Sequence, residues 1–260
     1  MIEIITLIIA GIFVGFINTL AGGGSIISLS VLIMLGLPAP VANGTNRIAI
    51  VIQTFTAATS FKQQKVLETR KAILMGIPAV FGSIIGALLA VDINEDVFEK
   101  TIGVIMLIML VFILYKPQKY IYGRANISEK PLNWKIYLIF FFIGIYGGFI
   151  HMGAGYFVLA GIVGCAGFDL VKANAIKVFV AMMYIPFSLA VFLWYDQVIW
   201  KYGLLLAIGA FIGALIASRL AVSRGVVFVK WVIVIVILIT SGDMFGLYDF
   251  KNIISAILKN

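Results

Sequence analysis

No charged residue occurs between Glu3 and Arg47. That stretch is about twice the ~20 apolar residues that carry a helix across a bilayer core. It is not one continuous helix. It breaks at Ala21-Gly22-Gly23-Gly24, resumes for only about three helical turns, and breaks again at Leu37-Pro38-Ala39-Pro40 before ending on an arginine. A plain membrane anchor has no use for two breaks. The stretch from Gly15 to Arg47 reads as a membrane element built to hold something.

The remainder of the chain follows the same pattern. Of its 260 residues 63% are hydrophobic and 12% charged, and the charges gather in short clusters between uncharged runs. This implies an all-α polytopic membrane protein. Barrel strands would alternate apolar and polar residues over ~10 positions, and these runs are continuous, which argues against a β-barrel. The single cysteine, Cys165, allows neither an internal disulfide nor a thiolate cluster. The net charge of +8 comes from basic residues in loops, a signature of topology rather than of nucleic-acid binding. Met1-Ile2-Glu3 lacks the positive start of a secretory signal, so Ile4–Leu20 is expected to stay as a helix although Ala21-Gly22-Gly23 could pass for a cleavage site.

The expected segments are Ile4–Leu20, a short Ser25–Leu35, Asn46–Phe61, Ala72–Val91 and Val97–Tyr115. A second set follows at Ile136–Ile150, a short Tyr156–Ala166, Asn174–Trp194, Trp200–Leu220 and Val226–Thr240, with an amphipathic interfacial piece at Phe250–Leu258. The two short segments reach only part way through the hydrocarbon, so each is expected to pair with the preceding helix as a broken or re-entrant element. Lys62, Lys65, Arg70 and Lys71 mark one loop as cytoplasmic. Lys116, Lys119, Arg124, Lys130 and Lys135 mark a second, and Arg219, Arg224 and Lys230 a third. Asp92, Glu95, Asp96 and Glu99 suit the outside. These signs place the N-terminus outside and give the two halves opposite orientation.

The halves also match in sequence. Gly82-Ser-Ile-Ile-Gly-Ala-Leu-Leu-Ala90 resembles Gly209-Ala-Phe-Ile-Gly-Ala-Leu-Ile-Ala217, and Gly11–Asn18 resembles Gly144–His151. Gly22–Gly24 falls against Gly153–Gly155, Gly36 against Gly167, and Ala42-Asn43 against Ala173-Asn174. The expected organisation is two inverted repeats of about five helical segments each, residues 1–115 and 136–260, joined by a cytoplasmic linker at 116–135. Secondary transporters with this architecture bind substrate near the midplane, where helices of both repeats are interrupted. Gly82, Gly86, Gly209 and Gly213 have the small-xxx-small spacing of close helix packing. The breaks at Gly22, Gly23 and Gly24 and at Gly153 and Gly155 are the candidate site.

Arg47 and Lys177 are the cations best placed within the membrane. Lys177 aligns with Asn46, so both cations are expected to open corresponding helices. An intramembrane cation is a functional candidate unless it snorkels to an interface. With backbone N–H groups at half-helix starts, the two would form an anion site. Asn18, Thr19, Asn43, Thr45, Asn46, Gln53 and Asn174 add uncharged hydrogen-bonding groups near the breaks. Ser25 is expected to cap the short helix, its hydroxyl also facing the cavity. His151, the only histidine, aligns with Asn18 and is either a proton carrier or a neutral, hydrogen-bonded side chain. Tyr156 and Phe157 either line the path or simply pack. One histidine and one cysteine supply no usual metal or haem set, and HExxH, GxSxG and P-loop motifs are absent, so no enzyme activity, metal or cofactor is expected. Energy would come from ion gradients.

Gly15-Phe-Ile-Asn-Thr-Leu-Ala-Gly-Gly-Gly-Ser25, followed by Val41-Ala-Asn-Gly-Thr-Asn-Arg47, resembles the TauE/SafE sulfite exporter family, also grouped as a sulfonate-uptake permease superfamily. Gly147-Gly-Phe-Ile-His-Met-Gly-Ala-Gly155 with Ala173-Asn-Ala-Ile-Lys177 looks like the second repeat of that family. The resemblance covers essentially the whole chain. It implies a multi-pass permease of the cytoplasmic membrane that moves sulfite, sulfonates or related small organic anions, and the sulfur specificity comes from the resemblance alone. A small anionic substrate and the lipid bilayer are the expected partners. Proton or sodium is the candidate coupling ion and a homodimer the candidate assembly; nucleic acid is not expected. The alternatives are a passive anion channel, a carrier of another small organic anion, and a membrane enzyme or non-transporting subunit.

Overall fold

The computed structural model describes residues 2–92, 97 and 132–244. The expected helix Val97–Tyr115 apart from Val97 itself, nearly all of the linker 116–135 and the amphipathic piece Phe250–Leu258 lie outside the described residues. Eight helices are described: α1 (Ile2–Leu20), α2 (Ser25–Met34), α3 (Ala39–Gln63), α4 (Thr69–Val91), α5 (Trp134–Phe149), α6 (Ala154–Gly161), α7 (Leu170–Trp194) and α8 (Trp200–Met244). A π-helical turn, Ile162–Ala166, extends α6. No strand occurs among the described residues. The chain is an all-helical, multi-pass membrane protein. Glu3–Leu20, Thr69–Val91, Leu170–Trp194 and Trp200–Gly225 are each long and apolar enough to cross a bilayer.

Local chemistry sets the helix starts, and two differ from expectation. The helix expected at Asn46 begins at Ala39, because Pro38 caps it and Pro40 sits in the first turn, where its missing N–H costs nothing. The helix expected at Asn174 begins at Leu170, because Asp169 Oδ1 accepts from the N–H groups of Val171 (2.9 Å) and Lys172 (3.0 Å). The polar residues just inside these starts, Asn43, Thr45 and Asn174, are buried by the protein itself. The expected helices at Trp200 and Val226 follow one another within α8 without a loop, and the backbone leaves helical geometry between them at Gly225 (φ +69°, ψ −166°).

Glycines set the packing. A Cβ on Gly209 or Gly213 would overlap the carbonyl oxygens of Ile8 and Ile12, and one on Gly11 or Gly15 would overlap those of Leu206 and Ala210. α1 therefore runs alongside α8 in the same direction at backbone contact. α4 and α5 repeat the arrangement: Gly82 and Gly86 abut the carbonyls of Phe141 and Ile145, and Gly144 and Gly148 abut those of Ala79 and Ser83. Without a hydrophobic force between helices in lipid, such close approach supplies the dispersion that holds them.

The turns define two ends of the molecule. At one, Lys172 Nζ lies 3.8 Å from Glu68, and Gln64 Nε2 donates to the carbonyl of Ser218 (3.4 Å). At the other, Gln197 Nε2 donates to the carbonyl of Val91 (3.1 Å), and the carbonyl of Gln197 abuts Gly44. α1 and α3 thus run one way across the molecule, and α5 and α7 the other. The first end gathers Lys62, Lys65, Arg70, Lys71, Lys135, Lys172, Arg219 and Arg224. Exposed Trp134 lies near this end and exposed Trp194 and Trp200 near the other, the levels at which amphipathic rings settle in a bilayer.

Candidate functional site

Two helices stop inside the protein. α1 ends at Leu20 and α5 at Phe149. After each, a glycine adopts a left-handed backbone, Gly22 (φ +96°) and Gly153 (φ +67°), which costs residues with a side chain energy that glycine avoids. The two breaks meet. A Cβ on Gly22 would fall on the Cα of Gly155, and one on Gly155 would fall on the Cα of Gly22. Gly23 lies under the ring of Tyr156, and Gly24 against the backbone of Val14.

Arg47 and Lys177 each cap the broken helix of the other half. Arg47 is fully buried. Its Nη1 donates to the carbonyl of Gly147 (3.1 Å) and to Ser188 Oγ (2.7 Å), and its Nη2 to the carbonyls of Gly148 (2.5 Å) and Phe149 (3.5 Å). The guanidinium also lies 4.5 Å from the ring centroid of Phe192, a cation–π contact. Lys177 Nζ donates to the carbonyls of Asn18 (3.0 Å) and Thr19 (2.9 Å). The last carbonyls of a helix lack intrahelical partners and form the negative pole of its dipole. A buried cation answers both needs. Neither residue opens its helix as expected: because α3 and α7 begin earlier, Arg47 and Lys177 stand in the third turn.

The two cations differ in what remains to them. An ammonium has three donors, and two of those on Lys177 are engaged. Lys177 also lines a cavity with Asn18, Gly22, Gln53, His151, Gly155 and Tyr184, closed by Thr54, Val158, Val178 and Ala181. Both helix breaks contribute to its wall. Arg47 is not among the lining residues, and its guanidinium is pinned by four acceptors. The lining holds no carboxylate. The open space is about 20 Å³, room for about one water. An anion of three or more oxygens needs the walls to part.

The cavity groups are held in place by neighbours. Asn18 Nδ2 donates to Ser25 Oγ (3.2 Å), and Gln53 Nε2 to Thr19 Oγ1 (3.5 Å). His151 Nδ1 and the hydroxyl of Tyr184 are 3.0 Å apart. Ser25 does not cap α2 as expected. Gly24 is the cap residue and no side chain bonds there, because the Ser25 hydroxyl faces Asn18. Other candidates lie off the cavity. Asn43 Nδ2 donates to the carbonyl of Phe149 (2.8 Å), and Thr45 Oγ1 accepts from the N–H of Ile199 (3.0 Å). The amides of Asn46 and Asn174 are buried, with neither polar atom hydrogen-bonded among the described residues. Phe157 packs edge-on against Tyr146, centroids 5.1 Å apart. Among the described residues no cluster of His, Cys, Asp or Glu could hold a metal.

Tyr184, Ser188, Thr54 and Phe192 were not anticipated. The first two could have been found, since Asn174, Lys177, Ala181, Tyr184 and Ser188 recur at the spacing of one helix face. Thr54 follows Gln53, but Phe192 carries no signal beyond its apolar character.

Residues 7–244 match the family described as Sulfite exporter TauE/SafE. The chain is 29% identical over 232 residues to a protein of Sinorhizobium sp named Probable membrane transporter protein ORF9, covering 88% of this chain and 87% of that one. A probable membrane transporter protein of Haemophilus influenzae is 27% identical over 241 residues, 92% of each chain. Probable membrane transporter protein YfcA of Escherichia coli K12 is 29% identical over 242 residues, 90% of this chain and 86% of that one. No solved structure matches. A family match across nearly the whole chain agrees with a fold whose broken helices meet at a buried cation, and the chain belongs to the TauE/SafE family of membrane transporters.

Proposed function

We propose that this chain is a secondary transporter for small sulfur-containing anions such as sulfite or organosulfonates. It alternates access around the cavity between the Gly22 and Gly155 breaks. The observation that carries the reading is Lys177, a buried ammonium in a carboxylate-free cavity with one donor not engaged by the α1 carbonyls. Burying an unpaired charge is costly, so a mobile anion is its natural partner. Arg47 serves as a brace that fixes the end of α5. The sulfur class rests on the name of the family. The two-repeat organisation is supported by the paired contacts of α1 with α8 and α4 with α5, and by the opposite directions of α1 and α5. The cavity, with room for about one water, favours a carrier over an open channel.

The test is uptake of labelled sulfite into proteoliposomes. The native chain is expected to show saturable uptake, and Lys177→Gln, whose amide still reaches toward the Asn18 and Thr19 carbonyls, to lose at least tenfold. Equal uptake by a folded Lys177→Gln variant would remove Lys177 from the site.

A further inference from the structure

Two amide oxygens in the cavity are unmatched. Asn18 and Gln53 are 4% and 2% exposed, and neither Asn18 Oδ1 nor Gln53 Oε1 has a hydrogen-bond partner among the described residues. Both amide nitrogens are engaged, with Ser25 Oγ and Thr19 Oγ1. The Lys177 ammonium on the same wall favours this orientation, since carbonyl dipoles point their oxygens toward a cation. The residues that line the cavity thus carry one positive charge and two acceptors that no donor among the described residues answers.

A fully deprotonated oxyanion fits such a site badly. Its oxygens would meet Lys177 well but would face the two amide oxygens, acceptor against acceptor. A bare metal cation fits no better, because the ammonium would repel it. We propose that the site selects a small monoanion carrying its own hydrogen-bond donor: the anionic oxygens take the free Lys177 donor, and the N–H or O–H of the same molecule satisfies Asn18 Oδ1 or Gln53 Oε1. Hydrogen sulfite and hydroxy- or amino-substituted sulfonates share that chemistry. This inference rests on the anion-site reading above and deepens it, since it names what the anion must carry.

The test compares ligands of equal charge. Isethionate carries a hydroxyl, whereas ethanesulfonate and 1-propanesulfonate bracket its size without a donor. Binding to the purified native chain is measured by calorimetry. Isethionate is expected to bind about tenfold tighter than either, the discrimination of one buried hydrogen bond. In Gln53→Met, an apolar replacement of similar length, the advantage should shrink at least threefold while ethanesulfonate affinity stays within twofold. Equal affinity of the three for the native chain would overturn the inference, with the oxygens then satisfied by water, and would leave the anion site standing. Binding of none of them, with labelled sulfite also failing to bind, would instead overturn the anion-site reading itself.

Discussion

Arg47 and Lys177 look alike in sequence and are unlike in place. Each caps a broken helix of the opposite half, but only Lys177 faces the cavity. The two should therefore fail differently. Arg47→Met leaves the Gly147 and Gly148 carbonyls buried without that donor, while the Phe149 carbonyl keeps Asn43. At ~1–3 kcal/mol for each orphaned acceptor, it should lower stability by roughly 2 kcal/mol or more, read as a fall in Tm in detergent. Arg47→Lys should restore only part, because an ammonium cannot match a planar fork across three carbonyls. The candidacy of these residues was legible because an uncompensated cation stands out in an uncharged run. Their partners were not, because main-chain carbonyls one hundred and more residues away leave no mark in side-chain identity.

Glycine has two distinct uses in the helices. Gly86 and Gly213 let backbones touch, whereas Gly225 serves only a left-handed kink, with nothing within 4 Å of its would-be Cβ. Gly86→Ala must push against the carbonyl of Ile145, and overpacking of this kind costs ~1–3 kcal/mol. Gly225→Ala meets only the backbone penalty of a conformation essentially reserved for glycine, ~1–3 kcal/mol, and should leave the packing of α4 on α5 untouched. Thermal unfolding of the two variants, with a disulfide cross-link between α4 and α5 as a second readout, separates the effects: the cross-link should slow in Gly86→Ala alone. The small-xxx-small spacing and the glycine breaks made the pairing elements and the short helices readable in the sequence. The starts of α3 and α7 were misplaced by several residues, because Pro40, Asn43 and Thr45 before the one and Lys172 before the other look like loop residues in a chain surrounded by lipid.

At the scale of the whole molecule, the charge asymmetry has a direction. Basic residues crowd the end that holds the 64–68 turn, while exposed Asp92 and Asp196 lie at the opposite end. Positive loops stay on the cytoplasmic side. With Cys165 replaced by alanine, a cysteine at Lys65 should react with an impermeant maleimide only after the cells are opened, and a cysteine at Asp196 should react in intact cells. The reverse pattern would invert the orientation without altering the fold. That the chain spans the membrane several times was legible from its uncharged runs; that the two breaks touch at Gly22 and Gly155 was not, because repeats aligned in sequence need not meet in space.

The most direct test of the account is anion-dependent thermal stability of the native chain beside Lys177→Gln. A ligand at about one hundred times its Kd stabilises the folded state by ~2.7 kcal/mol. The account predicts that millimolar sulfite or isethionate raises the Tm of the native protein and leaves that of a folded Lys177→Gln variant unchanged. An equal rise in both proteins would contradict the claim that the anion meets Lys177 where the two broken helices converge.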